Sequence, residues 1–162
     1  MMLPVQLLHM RVQRELEACR KIPGVTIEGT VDYGKTEFPI CLDVYVTGAT
    51  GMMIIDGKAR EIDSHRFAVE IGRDYPYQKP GVFWQTPIFH PNICPPEDGG
   101  MVCTKLLNEW RGERTLYSLI NAVLYLVEHP NGREPLGADA CMNAARYLLE
   151  RSGDAGKDSQ QH

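Results

Sequence analysis

From Phe38 to Val46 every second residue is apolar: Phe38, Ile40, Leu42, Val44 and Val46, with Cys41, Asp43 and Tyr45 on the other side. A two-residue period gives a strand one apolar face and one mixed face, so a sheet built on it needs a cover over one side. The chain supplies that cover from both ends. Val5, Leu8, Val12, Leu16 and Cys19 recur at helical spacing and predict an amphipathic helix over residues 4–21. Its polar face carries Gln6, Arg11, Gln13, Arg14, Glu17 and Arg20, and Ile22-Pro23-Gly24 stops it. Later, Leu116, Leu119, Ile120, Val123, Leu124 and Val127 form a second stripe, with Thr115 as its N-cap and His129-Pro130-Asn131-Gly132 as its end. Cys141, Ala144, Ala145, Leu148 and Leu149 line a last helix.

The remaining alternation is shorter. Val25, Ile27 and Val31 mark a strand before the long one, joined to it by a turn at Asp32–Gly34. Thr47–Gly51 is expected to break the long strand, and Asp56-Gly57 to seat a small hairpin. Phe67, Val69 and Ile71 mark a third strand, and the segment Val82–Thr86 reads as a fourth. Sequential strands with short connections favour an antiparallel four-stranded meander with helices packed on it, an α+β fold. We expect one domain over residues 1–151 and a polar, disordered tail over 152–162.

Composition removes several functions. Lys and Arg are outnumbered by Asp and Glu, 17 to 21, which gives no support to nucleic-acid binding. No run approaches the ~18 apolar residues of a membrane span, and the first residues lack the pattern of a signal peptide. The five cysteines are odd in number and mostly far apart, which fits a reducing cytoplasm better than a disulfide framework. His90, Cys94 and Cys103 lack the Cys-x₂-Cys knuckle of a structural zinc site, so no metal and no cofactor are expected.

Between Asp74 and Gly100 the chain is dense in Pro and Gly, and long irregular segments within compact domains are usually functional. Tyr75-Pro76-Tyr77-Gln78-Lys79-Pro80, His90-Pro91-Asn92, Gly100-Met101-Val102-Cys103, Trp110 and the turn His129–Leu136 follow one another in order. This series resembles the ubiquitin-conjugating enzymes, from about Leu7 to Leu136. The resemblance implies that family's fold: an N-terminal helix, a four-stranded antiparallel meander, a long active-site loop and C-terminal helices. It also implies that Cys103 receives ubiquitin or a ubiquitin-like protein as a thioester from an activating enzyme. The thioester then passes to a lysine of a protein substrate, with a RING-type ligase assisting.

By the same resemblance, Asn92 is an oxyanion donor that also orders its loop, and His90 supports the loop rather than acting as a base. Glu134 stands where the family carries Asp beside the acceptor lysine. Tyr77 and the Arg111-Gly112-Glu113 loop match ligase-binding positions. Arg11 and Arg14 lie on the helix face that resembles the activating-enzyme contact. Cys94 matches a residue lining the lysine approach.

The chain departs from the family in places. Cys103 follows Asn92 at a longer spacing, residues 52–64 lengthen the turn after the second strand, and one helix follows Leu136 where many members have two. The rival reading is an inactive module of the same fold that only binds a ubiquitin-like protein; the cysteine at 103 argues against it.

Overall fold

The computed structural model describes residues 1–29, 31 and 37–160, the last eight of them by backbone alone. The turn expected at Asp32–Gly34 lies outside the described residues. Strands β1 (Val25–Glu28), β2 (Ile40–Ile55), β3 (Lys58–Ile71) and β4 (Gly81–Trp84) form one sheet in the order β1-β2-β3-β4. Each neighbouring pair is antiparallel, which is the expected meander.

The register explains why alternation was the governing signal. Ile27 pairs with Val44, Val44 with Phe67 and Phe67 with Trp84, so one row of apolar side chains crosses the whole sheet. All four are buried, and the Phe67 and Trp84 rings stack with centroids 5.5 Å apart. Removing large apolar groups from water is the main favourable term in folding, at roughly 1.5–3 kcal/mol for each fully buried side chain of this size. On the opposite face, Tyr45 pairs with Arg66, whose guanidinium lies 5.9 Å from the ring centroid.

Two strand boundaries differ from expectation. Thr47–Gly51 does not end β2; the strand continues through it with a register shift between Thr47 and Gly51. Such a bulge holds extra residues without ending the ladder, and Gly48 accepts the required positive φ of 93°. Asp56 and Gly57 both have positive φ, 50° and 75°, as a two-residue hairpin turn demands. That turn starts β3 at Lys58, well before the apolar Phe67, so residues 52–64 lengthen a hairpin rather than a loop. β1 ends at Glu28, leaving Val31 outside it.

Helix α1 (Val5–Cys19) buries Leu8, Val12, Leu16 and Cys19 as its stripe requires. Helix α3 (Leu116–Glu128) packs on β2 and α1. Thr115 caps α3: its Oγ1 accepts from the Ser118 N–H at 3.1 Å while Ser118 Oγ accepts from the Thr115 N–H at 3.1 Å. A four-residue helix, α2 (Lys105–Asn108), lies between them, too short for periodicity to reveal, with the Thr104 side chain as its cap at 3.0 Å. Helix α4 runs Asp139–Gln160, so helical backbone occupies most of the stretch expected to be a disordered tail; that stretch contains no proline to stop it.

Candidate active site

The segment from Ile88 to Cys103 carries the site, and its length poses a problem. Cys103 lies eleven residues after Asn92, 103 minus 92. The backbone cancels that separation. Ile93 bridges to Val102, the Cys94 N–H donates to the Met101 carbonyl at 2.8 Å, and the Cys103 N–H donates to the Asn92 carbonyl at 2.9 Å. Residues 94–101 therefore leave and return through a closed neck, with Pro96–Asp98 as an exposed single turn at the far end.

Gly100 fastens the returning limb to the sheet. Its carbonyl accepts from the Trp84 N–H at 2.8 Å, and its φ is +68°. A Cβ there would stand 2.6 Å from the Trp84 carbonyl oxygen and 2.8 Å from its nitrogen, so no larger residue fits without moving β4.

Asn92 is buried at 4% exposure and is fully engaged. Its Nδ2 donates to the carbonyls of Asn131 at 3.2 Å and Glu134 at 3.1 Å, while its Oδ1 accepts from the Asn131 N–H at 2.7 Å. The Leu136 N–H donates to the Pro91 carbonyl at 2.9 Å beside them. Both amide protons are thus committed to the 131–134 turn, and the oxyanion-facing donor expected at Asn92 is not available in this geometry. What the side chain does is staple the loop to that turn.

His90 completes the support. Its Nδ1 accepts from the Asn92 N–H at 3.0 Å, which assigns the proton to Nε2, and Nε2–H donates to the Leu126 carbonyl at 2.7 Å. Burial pushes its pKa down to about 4, so the ring is neutral near pH 7 and both nitrogens are occupied. A general-base role has no free nitrogen to work with.

Cys103 is a free, half-buried thiol. It borders a groove of about 600 Å³ whose lining includes Asn108, Tyr125, His129, Asn131 and Glu134. The structure therefore brings Cys103 and the exposed Glu134 to one concavity. Two features of this groove were not read from the sequence. Asn108 Nδ2 donates to Cys103 Sγ at 3.4 Å, and the rings of Tyr125 and His129 stack at 4.0 Å. The only hint for Asn108 was its place five residues after the cysteine, 108 minus 103, in a helix that periodicity does not detect.

Cys94 faces the other way. It is buried with its sulfur 3.5 Å from that of Cys141 on α4, whose pKa burial pushes up to about 12. It is not among the groove residues, which corrects the expectation that it lines the lysine approach. The physical reason is the neck: the Ile93–Val102 bridge turns Cys94 toward α4.

The expected partner positions separate into two kinds. Tyr77 is 43% exposed and adjoins the second loop, since a Cβ on Gly112 would stand 3.5 Å from its ring; Arg111 is also exposed. The Trp110 Nε1–H donates to the Pro76 carbonyl at 2.7 Å and joins the two segments. Arg14 is exposed on α1. Arg11 is not a free contact residue: its Nη2 donates to the carbonyls of Gly112 at 2.9 Å and Arg114 at 2.8 Å. It also lies 5.5 Å from the Tyr75 ring centroid and 3.6 Å from the carboxylate of Glu15. Glu15 itself accepts from the Tyr75 hydroxyl at 2.8 Å and 3.0 Å, and burial raises its pKa. The guanidinium thus ties α1 to the 111–114 loop.

Among the described residues, no group of three or more His, Cys, Asp or Glu side chains is placed to hold a metal ion, and no helix is long and apolar enough to cross a membrane.

Comparison with known proteins places this geometry. The family model described as ubiquitin-conjugating enzyme matches residues 11–148. The NEDD8-conjugating enzyme UBC12 of Kluyveromyces lactis is 40% identical over 88 residues, 54% of this chain and 44% of that protein. The SUMO-conjugating enzyme UBC9 of Caenorhabditis elegans is 35% identical over 81 residues, 46% of this chain and 47% of that one. The matches thus span about half the length of these curated relatives. Among solved structures, Saccharomyces cerevisiae Ubc12 superposes with a TM-score of 0.68 at 26% identity, over 88% of this chain and 71% of that one. A Toxoplasma gondii ubiquitin-conjugating enzyme domain superposes at 0.63 and 21% identity over 90% and 89%, a likeness of fold alone. With a family model covering most of its length, and with the meander, the loop and the half-buried cysteine in place, the chain belongs to the ubiquitin-conjugating enzyme family.

Proposed function

We propose that Cys103 carries the C-terminus of ubiquitin or a ubiquitin-like protein as a thioester. Its thiolate attacks the thioester held by an activating enzyme; a new C–S bond forms and the activating enzyme's thiolate leaves. A substrate amine then attacks the same carbonyl, the tetrahedral oxyanion collapses, Cys103 leaves as thiolate, and an amide bond remains. The observation that carries this reading is a free thiol on the rim of a groove that also holds a carboxylate, Glu134. Glu134 orients the incoming ammonium and draws off its proton. Asn92 serves the same chemistry by holding the 131–134 turn, and so Glu134, against the Cys103 strand. Tyr77 and Arg111 meet a RING-type ligase, and Arg14 meets the activating enzyme. The catalytic unit is the single domain 1–151, and the protein works in the cytoplasm. Relatives named for NEDD8 and SUMO bring those modifiers into consideration together with ubiquitin.

The test is a charging assay with an activating enzyme, ATP and each modifier in turn, read on a non-reducing gel. A thiol-sensitive adduct is expected that vanishes in Cys103→Ala and survives in Cys94→Ala. An adduct that persists in Cys103→Ala refutes the assignment of the nucleophile. Absence of an adduct with every modifier favours a binding module.

A further inference from the structure

We infer that Asn108 is a catalytic residue: its side-chain amide is the hydrogen-bond donor to the Cys103 sulfur and, in the acylated intermediate, to the oxyanion next to it. This rests on the thioester role proposed for Cys103. Two observations lead to it. Asn108 Nδ2 stands 3.4 Å from Cys103 Sγ with the sulfur as acceptor, a normal distance for a bond to so large an atom. Meanwhile Asn92, the donor that the sequence pattern suggests, has both amide protons spent on the carbonyls of Asn131 and Glu134.

Transfer needs a donor at two moments. When the thioester carbon is attacked, negative charge gathers on the carbonyl oxygen, which is then bonded to the carbon that also carries Sγ. Sγ is then one bond from that carbon and two from the oxyanion, so a donor that touches Sγ stands beside both. When the intermediate collapses, charge moves to the sulfur itself, and the same N–H meets it. A fixed dipole aimed at the place where charge develops lowers the barrier without reorganisation.

The position of Asn108 is set before substrate arrives. It is the last residue of α2, a helix fixed at its start by the Thr104 cap, and its own N–H donates to the Thr104 carbonyl at 3.0 Å. Thr104 directly follows Cys103, so thiol and amide sit on one short rigid unit. The side chain is exposed and lines the groove with Glu134, so replacing it leaves no buried cavity.

The experiment is single-turnover discharge of preformed thioester onto free lysine, comparing wild type, Asn108→Ala and Asn108→Asp, with thermal melts of each. Asn108→Ala should slow discharge about 10- to 100-fold, the usual effect of losing a donor to a charged group. Asn108→Asp, nearly the same shape but aiming a carboxylate at the growing charge, should be slower still. Both should melt within about 2 °C of wild type, as expected of an exposed substitution. Discharge of Asn108→Ala at the wild-type rate overturns the inference. So does an Asn108→Asp rate equal to or above that of Asn108→Ala, since shape alone would then explain the residue. Alkylation of Cys103 by iodoacetamide at fixed pH supplies a readout that needs no modifier. Slower alkylation in Asn108→Asp than in wild type supports the contact, and equal rates overturn it. If wild-type protein charges with no modifier, the thioester proposal fails while the alkylation comparison still decides the Asn108 contact.

Discussion

Acid should loosen the active-site loop through His90 before it reaches the carboxylates. In the fold the ring is neutral, 3% exposed, and both nitrogens are engaged. Burial holds its pKa at about 4 against an ordinary value of 6.5. Between those values the unfolded chain binds a proton that the folded chain does not, so stability rises with pH across the window and is lost as pH falls through it. At about 1.4 kcal/mol per pH unit, the distance from 6.5 to about 4 sets a ceiling of about 3.5 kcal/mol. Integrating the same difference gives a loss of about 2 kcal/mol between about pH 7 and pH 5.

Urea denaturation at those two pH values checks this, with His90→Gln as the reference because Gln keeps a donor for the Leu126 carbonyl and does not titrate. His90→Gln should be less stable at pH 7, and the gap to wild type should shrink by about 2 kcal/mol at pH 5. His65, also pushed down by burial, acts in the same direction, and Glu15, pushed up by burial, acts in the opposite one. Both are present in the two proteins; Glu15 cancels in the comparison, and His65 cancels apart from its charge coupling to His90. A gap that is the same at both pH values would refute the reasoning, since His90 would then take up its proton equally in the folded and unfolded chain.

Other outcomes follow from features of the same loop and its supports. Gly100→Ala should cost about 2–4 kcal/mol, because a positive φ and a contact on the Trp84 backbone add together, and urea midpoints will show it. Thr115→Ala removes one half of the α3 capping box and should cost about 1 kcal/mol without changing discharge of a Cys103 thioester.

The layers of this fold were legible wherever burial imposed a period. Ile40, Leu42, Val44 and Val46 alternate and are all buried, and the α1 and α3 stripes are buried in the same way. The extension of β2 and β3 was not legible, because Met53, Ile54 and Ile55 pair with Arg60, Ala59 and Lys58 largely in the open. Hydrogen bonding along that hairpin follows from the Asp56-Gly57 turn rather than from an apolar face.

At the site, Cys103 and Glu134 stood out by position, and the groove brings them together. The loop-ordering part of the expectation for Asn92 matches its hydrogen bonds, but the partners themselves were hidden because they lie 39 and 42 residues away in sequence. The same is true of Arg11, whose acceptors are 101 and 103 residues distant. A residue on the polar face of a helix reads as solvated until the loop that receives it is known.

The closed neck at Ile93 and Val102 also separates two kinds of change along this chain. Closing a loop costs only about 0.6 kcal/mol more for each doubling of its length. The exposed turn Pro96–Asp98 is therefore a natural insertion point: a short tag or a reporter placed there would sit beside Ala140 and Asn143 of α4, outside the groove that Cys103 borders. The neck would keep the backbone of Cys103 bonded to that of Asn92, as it is now.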